Sequence, residues 1–243
     1  YPDPSDARAT LADRHGRSND EVLPTSGGAE AFTLVARARA WRKPVVVHPQ
    51  FTEPEAALLA AGHRVTRVVL RRDDGFVLDP GTVPEDADLV IVGNPTNPTS
   101  VLHPADTLLA LTRPGRVVVV DEAFMDAVAG ETESLTGRFV PGLVVLRSLT
   151  KTWAIPGLRA GYVVGDAAVL ADFAAQQPPW SVSTPAGAAM IACASGDAVR
   201  ETEVIAQEIA GDRKVLVDAL TGLGIHVVSP ATAPFVLAEK PEG

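Results

Sequence analysis

Cysteine is nearly absent: Cys193 is the only one in 243 residues. A lone cysteine excludes a disulfide framework within the chain and any cysteine-based metal cluster, and it fits a reducing cytoplasm. Lysine is scarce as well, since only Lys43, Lys151, Lys214 and Lys240 stand among 21 basic residues. Acidic residues outnumber basic ones by 30 to 21, for a formal charge of -9 and a pI near 5.0. That balance argues against nucleic acid or an anionic membrane as the main partner. No apolar run approaches the roughly 18 residues of a membrane span, and no basic-then-apolar segment opens the chain. Neither a Gly-x-Gly-x-x-Gly run nor a Walker lysine loop occurs, so the usual nucleotide fingerprints are missing. His15, His48, His63, His103 and His226 lack metal-ligand spacing and are expected to be structural or solvated.

What is present is a regular alternation. Short β-branched runs at 22–25, 45–48, 65–70, 89–92, 117–120, 143–146 and 161–164 alternate with helical patterns at 29–41, 53–61, 105–111 and 167–175. Several of the runs are apolar throughout, as strands covered on both faces are. The expectation is an α/β protein built on a mostly parallel seven-stranded sheet covered by helices. After Pro178-Pro179-Trp180 the pattern changes. Thr184 is expected to cap a helix over 186–194, with Pro185 at its first position. A long amphipathic helix is expected over 199–220, with Ile205, Ile209, Leu216 and Leu220 on one face and Gly222 ending it. Runs at 225–228 and 235–238 would be the first strands of a second, smaller domain. The chain is thus divided into a large domain at 1–198 and, at 199–243, a linking helix with the start of a small domain. It starts at Tyr1 without a methionine and stops soon after an apolar run, so both ends are read as cut.

The chemistry concentrates in Arg147-Ser-Leu-Thr-Lys-Thr-Trp-Ala-Ile-Pro-Gly-Leu-Arg-Ala-Gly-Tyr162, at the end of an apolar strand. Most lysines are solvated surface charges, but Lys151 alone follows a strand and precedes a Gly-Leu-Arg-Ala-Gly run. Ser148, Thr150 and Arg159 stand close by in sequence, and arginine's planar fork meets phosphate oxygens bidentately. Pyridoxal phosphate demands such a set: an amine for its aldehyde, donors and a cation for its phosphate, and a carboxylate for its ring nitrogen. Thr25-Ser-Gly-Gly-Ala-Glu30 opens a helix after a strand, so the amides of Gly27, Gly28 and Ala29 form a candidate anion cradle. An ordinary glycine turn capped by Ser26 is the plainer account. Asn97, in Asn94-Pro-Thr-Asn-Pro-Thr99, is a candidate donor to a ring oxygen, although turn chemistry alone also explains the motif. Asp121 follows four valines, where a carboxylate is costly without a cationic partner. A strand-end cap is its plainer role. Thr25, Asn97, Asp121 and Ser148 all follow strands, where ligands of open α/β sheets collect.

Together these motifs resemble those of the fold-type I pyridoxal phosphate enzymes, in the branch of histidinol-phosphate aminotransferases and threonine-phosphate decarboxylases. The likeness extends over nearly the whole chain, with the motifs in the family's order. It implies that Lys151 bonds covalently to the cofactor aldehyde, Asp121 pairs with the ring nitrogen and Asn97 holds the ring oxygen. Gly28, Ala29, Ser148, Thr150 and Arg159 would hold the phosphate. It further implies that Phe51 stacks on the ring, where a buried core aromatic is the alternative, and that Tyr1 reaches the phosphate of a partner subunit in a homodimer. A small phosphorylated amino acid is the implied substrate.

Two departures bear on the reaction. Phe124 stands where many aminotransferases of this family place a tyrosine, and Pro179-Trp-Ser-Val182 is similar to a segment of threonine-phosphate decarboxylases. The first expectation is therefore decarboxylation of L-threonine O-3-phosphate in cobalamin biosynthesis. The alternatives are an aminotransferase for histidinol phosphate or an aromatic amino acid, and a non-catalytic or flavodoxin-like binding module of similar architecture.

Overall fold

The computed structural model describes residues 1–239. Lys240 and the rest of the final stretch of the expected small domain lie outside the described residues. Seven strands form one sheet: β1 (Val22–Ser26), β2 (Pro44–His48), β3 (Thr66–Val69), β4 (Leu89–Gly93), β5 (Val117–Asp121), β6 (Leu143–Ser148) and β7 (Ala160–Gly165). Their order is β1-β7-β6-β5-β4-β2-β3. Strands β3, β2, β4, β5 and β6 run parallel, while β7 is antiparallel to both β6 and β1. Two reversals restore direction, so β1 ends at the same edge as β6. The start of β7 meets that edge too, with Ser26 opposite Ala160 and Gly161 opposite Ser148. This one antiparallel strand is why residues far apart in sequence converge on a single rim.

Because side chains alternate across a strand, the four valines of β5 divide between two cores. Val117 and Val119 pack with Phe32, Leu146 and Phe173 beneath α2 (Gly27–Ala38) and α5 (Ala167–Ala174). Val118 and Val120 pack on the other face with Leu108 of α4 (Ala105–Leu109), Leu135 and Val145. All four valines are fully buried or nearly so, and each contributes about 1.5–3 kcal/mol by leaving water. By the same alternation Asp121, Gly93 and Ser148 end their strands on the α2 face, whereas Arg147 points to the other.

The remaining helices are α1 (Ser5–His15), α3 (Glu53–Ala60), α6 (Thr184–Ala194) and α7 (Gly196–Gly222). Helix α1 was not expected, because only Ala7, Leu11 and Ala12 of it are buried, too few for a clear stripe. It packs with α6 over β1 and β7. The cap of α6 is Ser183, which accepts from the Ala186 amide, and not Thr184. Helix α7 starts three residues earlier than expected, because Ser195 caps it. Its buried positions are the small Ala198, Thr202 and Ala206, which let it lie close against the turns at 125–131. The expected stripe of Ile205, Ile209 and Leu220 is only half-buried, and Leu216 is exposed. The two expected C-terminal strands reduce to one antiparallel bridge, Val227 to Ala238. No described helix is long and apolar enough to cross a membrane.

Candidate active site

The shared rim carries a cleft of about 220 Å³. Nine of the ten sequence-predicted residues line it: Gly28, Ala29, Phe51, Asn97, Asp121, Ser148, Thr150, Lys151 and Arg159. Tyr1 does not. It is fully exposed and stacks on Trp180, with ring centroids 4.6 Å apart.

At one end lies an anion cradle. Gly27 begins α2 with φ +75°, and a Cβ there would collide with the Arg159 guanidinium. Gly161 lies equally close to Gly27, where a Cβ would sit 2.9 Å from its Cα. The bare backbone at both positions lets Arg159 pack against the first turn of α2. Arg159 itself has a left-handed backbone, φ +56°, and donates to the Pro156 carbonyl at 3.1 Å. The Ser148 and Thr150 hydroxyls stand 2.9 Å apart. Ser26 does not cap α2 with its side chain. Glu30 does so from within the helix, accepting from the Ser26 amide at 2.5 Å. Gly28 and Ala29, in the first turn, line the cleft at the positive end of the helix.

At the other end, Asp121 is buried with one bond, Oδ1 accepting from the Ala123 amide at 3.0 Å. It does perform the turn-capping role, but with one oxygen only. Burial pushes its pKa up to about 6, against the pull of the Ala123 amide and of Lys151. Asn97 is half-buried on a loop whose other polar groups are committed. Asn94 exchanges bonds with the backbone of His103, and the Thr96 hydroxyl donates to the Gly93 carbonyl. Asn97 itself lines the cleft. Lys151 sits between the two ends, its Nζ 5.5 Å from the centroid of the Phe124 ring. Among the described residues it makes no hydrogen bond or ion pair. Phe51 is 42% exposed, so it is not a core aromatic, and it faces Phe32 at 6.5 Å.

Several neighbours were not legible beforehand. Gln50 lines the cleft beside Phe51. Phe235, from the C-terminal segment, meets Phe124 edge-on at 5.0 Å, and Ser100 holds that segment down through Thr232 and Ala233. Across the sheet, Arg147 is 1% exposed and binds Glu122, Asp126 and Glu131. Glu122, also bonded by Ser134 and the Leu135 amide, is pushed up to about 7 by burial in spite of Arg147. Nearby, burial and the neighbouring guanidiniums take His15 down to about 3, beside the Tyr162 hydroxyl.

The two raised carboxyls make a prediction about pH. Unfolded, they titrate near 3.8 and 4.5; folded, near 6 and 7. Between those values the folded chain holds more protons on these two groups, so their own contribution to stability falls as pH rises from about 4 to 7, opposite in sign to that of the buried His15 and His103. Asp121 alone accounts for roughly 3 kcal/mol of that fall, at 1.36 kcal/mol per pKa unit. Denaturant unfolding of the cofactor-free wild type and Asp121→Asn at pH 5 and pH 8 isolates the Asp121 share: the variant is expected to be stabilised relative to wild type more at pH 8 than at pH 5.

Comparison with known proteins agrees with this geometry. The sequence model of the family described as aminotransferase class I and II matches residues 1–242. A histidinol-phosphate aminotransferase of Mycobacterium tuberculosis is 49% identical over 240 residues, covering 98% of this chain and 65% of its own length. A threonine-phosphate decarboxylase of a Sinorhizobium species is 36% identical over 246 residues, covering 97% and 68%. The crystal structure of L-threonine-O-3-phosphate decarboxylase from Porphyromonas gingivalis superposes with a TM-score of 0.87 at 26% identity, covering all of this chain and 73% of that one. The chain thus spans about two thirds of the length of the curated relatives it matches.

Proposed function

We propose, from the premise that this chain belongs to the class I and II aminotransferase family, that it carries pyridoxal phosphate on Lys151 and transfers the amino group of histidinol phosphate. One observation carries the cofactor assignment: an amine unpaired among the described residues, a buried carboxylate and a glycine-backed guanidinium converge on one cleft. The residues fit the group. The cradle at Gly28 and Ala29 with Ser148, Thr150 and Arg159 suits a phosphate, and Asp121, costly by itself, suits a protonated ring nitrogen. Pyridoxal phosphate, when bound, acts as an electron sink for the bonds at the substrate's α-carbon.

The chain's own residues do the rest. Lys151 Nζ would hold the cofactor aldehyde and, once released, would serve as base and acid at the substrate's α-carbon. Asp121 would hold the proton on the ring nitrogen, Asn97 would donate to the ring oxygen, and Phe51 would pack on the ring. Phe124 and Phe235 form an apolar wall beside Lys151. Tyr1, standing outside its own cleft, supports service to the phosphate of a partner subunit in a cytoplasmic homodimer. The division into 1–198 and 199–243 remains part of this proposal.

Identity to the mycobacterial protein supports histidinol phosphate. A second reading, decarboxylation of threonine phosphate, rests on Phe124, which offers no phenol to the ring oxygen, and on Pro179-Trp-Ser-Val182. One assay on the full-length protein separates them. Histidinol phosphate with a 2-oxo acid acceptor should yield a phosphorylated ketone and a new amino acid. Release of carbon dioxide from threonine phosphate, with no amino transfer, would instead establish the second reading.

The phosphate end makes its own prediction. Arg159→Gln should weaken pyridoxal phosphate binding about 10- to 100-fold, the worth of a charge-assisted bond, while leaving the binding of pyridoxal, which lacks the phosphate, nearly unchanged. Equal losses for both ligands would remove Arg159 from the phosphate.

A further inference from the structure

Gln50 is buried within the cleft wall and belongs to none of the motifs. Its amide nitrogen donates to the Ile91 carbonyl at 3.2 Å. That bond decides which end of the amide is presented: Oε1 is the atom left over, buried and without a partner among the described residues. A buried acceptor without a donor is unfavourable, so a donor belongs there when the cleft is filled.

Its position says which donor. Oε1 lies 3.9 Å from the point that a Cβ on Gly93 would occupy. Gly93 and Asp121 are register partners on parallel strands, so they face the same side about 5 Å apart. Gln50 and Asp121 therefore flank one gap, and the missing side chain at Gly93 keeps it open. Two acceptors bordering one gap are matched by a positively charged N–H. A phosphate or a ring oxygenate would be repelled by both. Of the edges of pyridoxal phosphate, only the protonated ring nitrogen combines a donor with positive charge.

We infer that Gln50 is a second positioning residue at the ring-nitrogen end, its carbonyl dipole stabilising the protonated pyridine beside the Asp121 carboxylate. This rests on the cofactor assignment above. Gln50 adds no net charge, so it favours the protonated ring without the cost of a second buried carboxylate.

The test compares two ligands on the full-length protein: pyridoxal phosphate and its analogue with carbon in place of the ring nitrogen. Dissociation constants are read from absorbance and fluorescence for wild type, Gln50→Leu and the closer-volume Gln50→Met, with melting curves of the cofactor-free variants confirming a folded chain. Both variants should bind pyridoxal phosphate roughly tenfold more weakly, the scale of a hydrogen bond to a charged group, and bind the carbon analogue as wild type does. Equal losses for both ligands would mark Gln50 as a wall residue, and no loss for either would give it no part in binding; each result overturns the inference and leaves the cofactor assignment standing. A wild-type protein that binds neither ligand overturns both.

Discussion

Lys151→Ala is expected to abolish both the visible absorbance of the bound cofactor and its borohydride-trapped adduct, and to lower turnover by more than about 10³-fold. General acid–base catalysis alone contributes about 10²–10⁴, and the covalent attachment is lost with it. The structure leaves no described substitute. Lys43 is paired with Asp86 and Lys214 with Asp218, each at 2.6 Å, whereas the Lys151 amine stands over the Phe124 ring with no partner among the described residues. Lys151→Arg should fail equally, because a guanidinium preserves the charge above Phe124 but cannot attack an aldehyde at neutral pH. Affinity should fall far less than turnover, since the phosphate cradle and Asp121 are untouched. Peptide mapping of the trapped adduct decides the matter: finding it on any other lysine would end the assignment.

Arg147→Met is expected to cost stability rather than chemistry, by about 3–5 kcal/mol, the usual penalty for removing one partner of a buried ion pair. The loss is large because Arg147 is the shared partner of Glu122, Asp126 and Glu131, the first two of them also buried. Without it their carboxylates keep the more distant Arg14, 3.7 Å from Glu131, and a few hydrogen bonds, chiefly those from Ser134 and Leu135 to Glu122. The unfolding midpoint of the variant should recover at low pH, where those carboxyls are protonated and need no cation. A variant as stable as wild type at pH 8 would mean that the cluster relaxes into water. Arg147→Met combined with Glu122→Gln should be less damaging than the sum of the single changes, because the two groups are in contact.

Much of the cleft was legible in advance because each of its motifs carries its own local reason. Asp121 stands at the end of a run of valines, Gly27 and Gly28 open a helix, and Lys151 is a rare residue at a strand end. Asn97 stood out in its strand-end turn, Phe51 followed from the family resemblance, and both line the same rim. The cap of α6 was missed by one residue because Ser183 and Thr184 are chemically equivalent there, and only backbone dihedrals separate them. Helix α1 was missed because a polar segment with three buried residues has too little periodicity. The stripe on α7 misled because small residues, and not large ones, set its closest packing.

The amino-acid order by itself determined the strand and helix alternation and the chemical character of each motif, since periodicity and the chemistry of a side chain are local properties. Which face each strand end presents, and what lies opposite, was decided only in three dimensions. One residue of offset sends Ser148 into the cleft and Arg147 into an ion cluster behind the sheet. One antiparallel strand brings Arg159 back to the start of α2. The unpaired oxygen of Gln50 and the contact of Phe235 with Phe124 have no local signature, because a buried acceptor or an aromatic edge acquires its meaning from neighbours that the chain supplies tens of residues away.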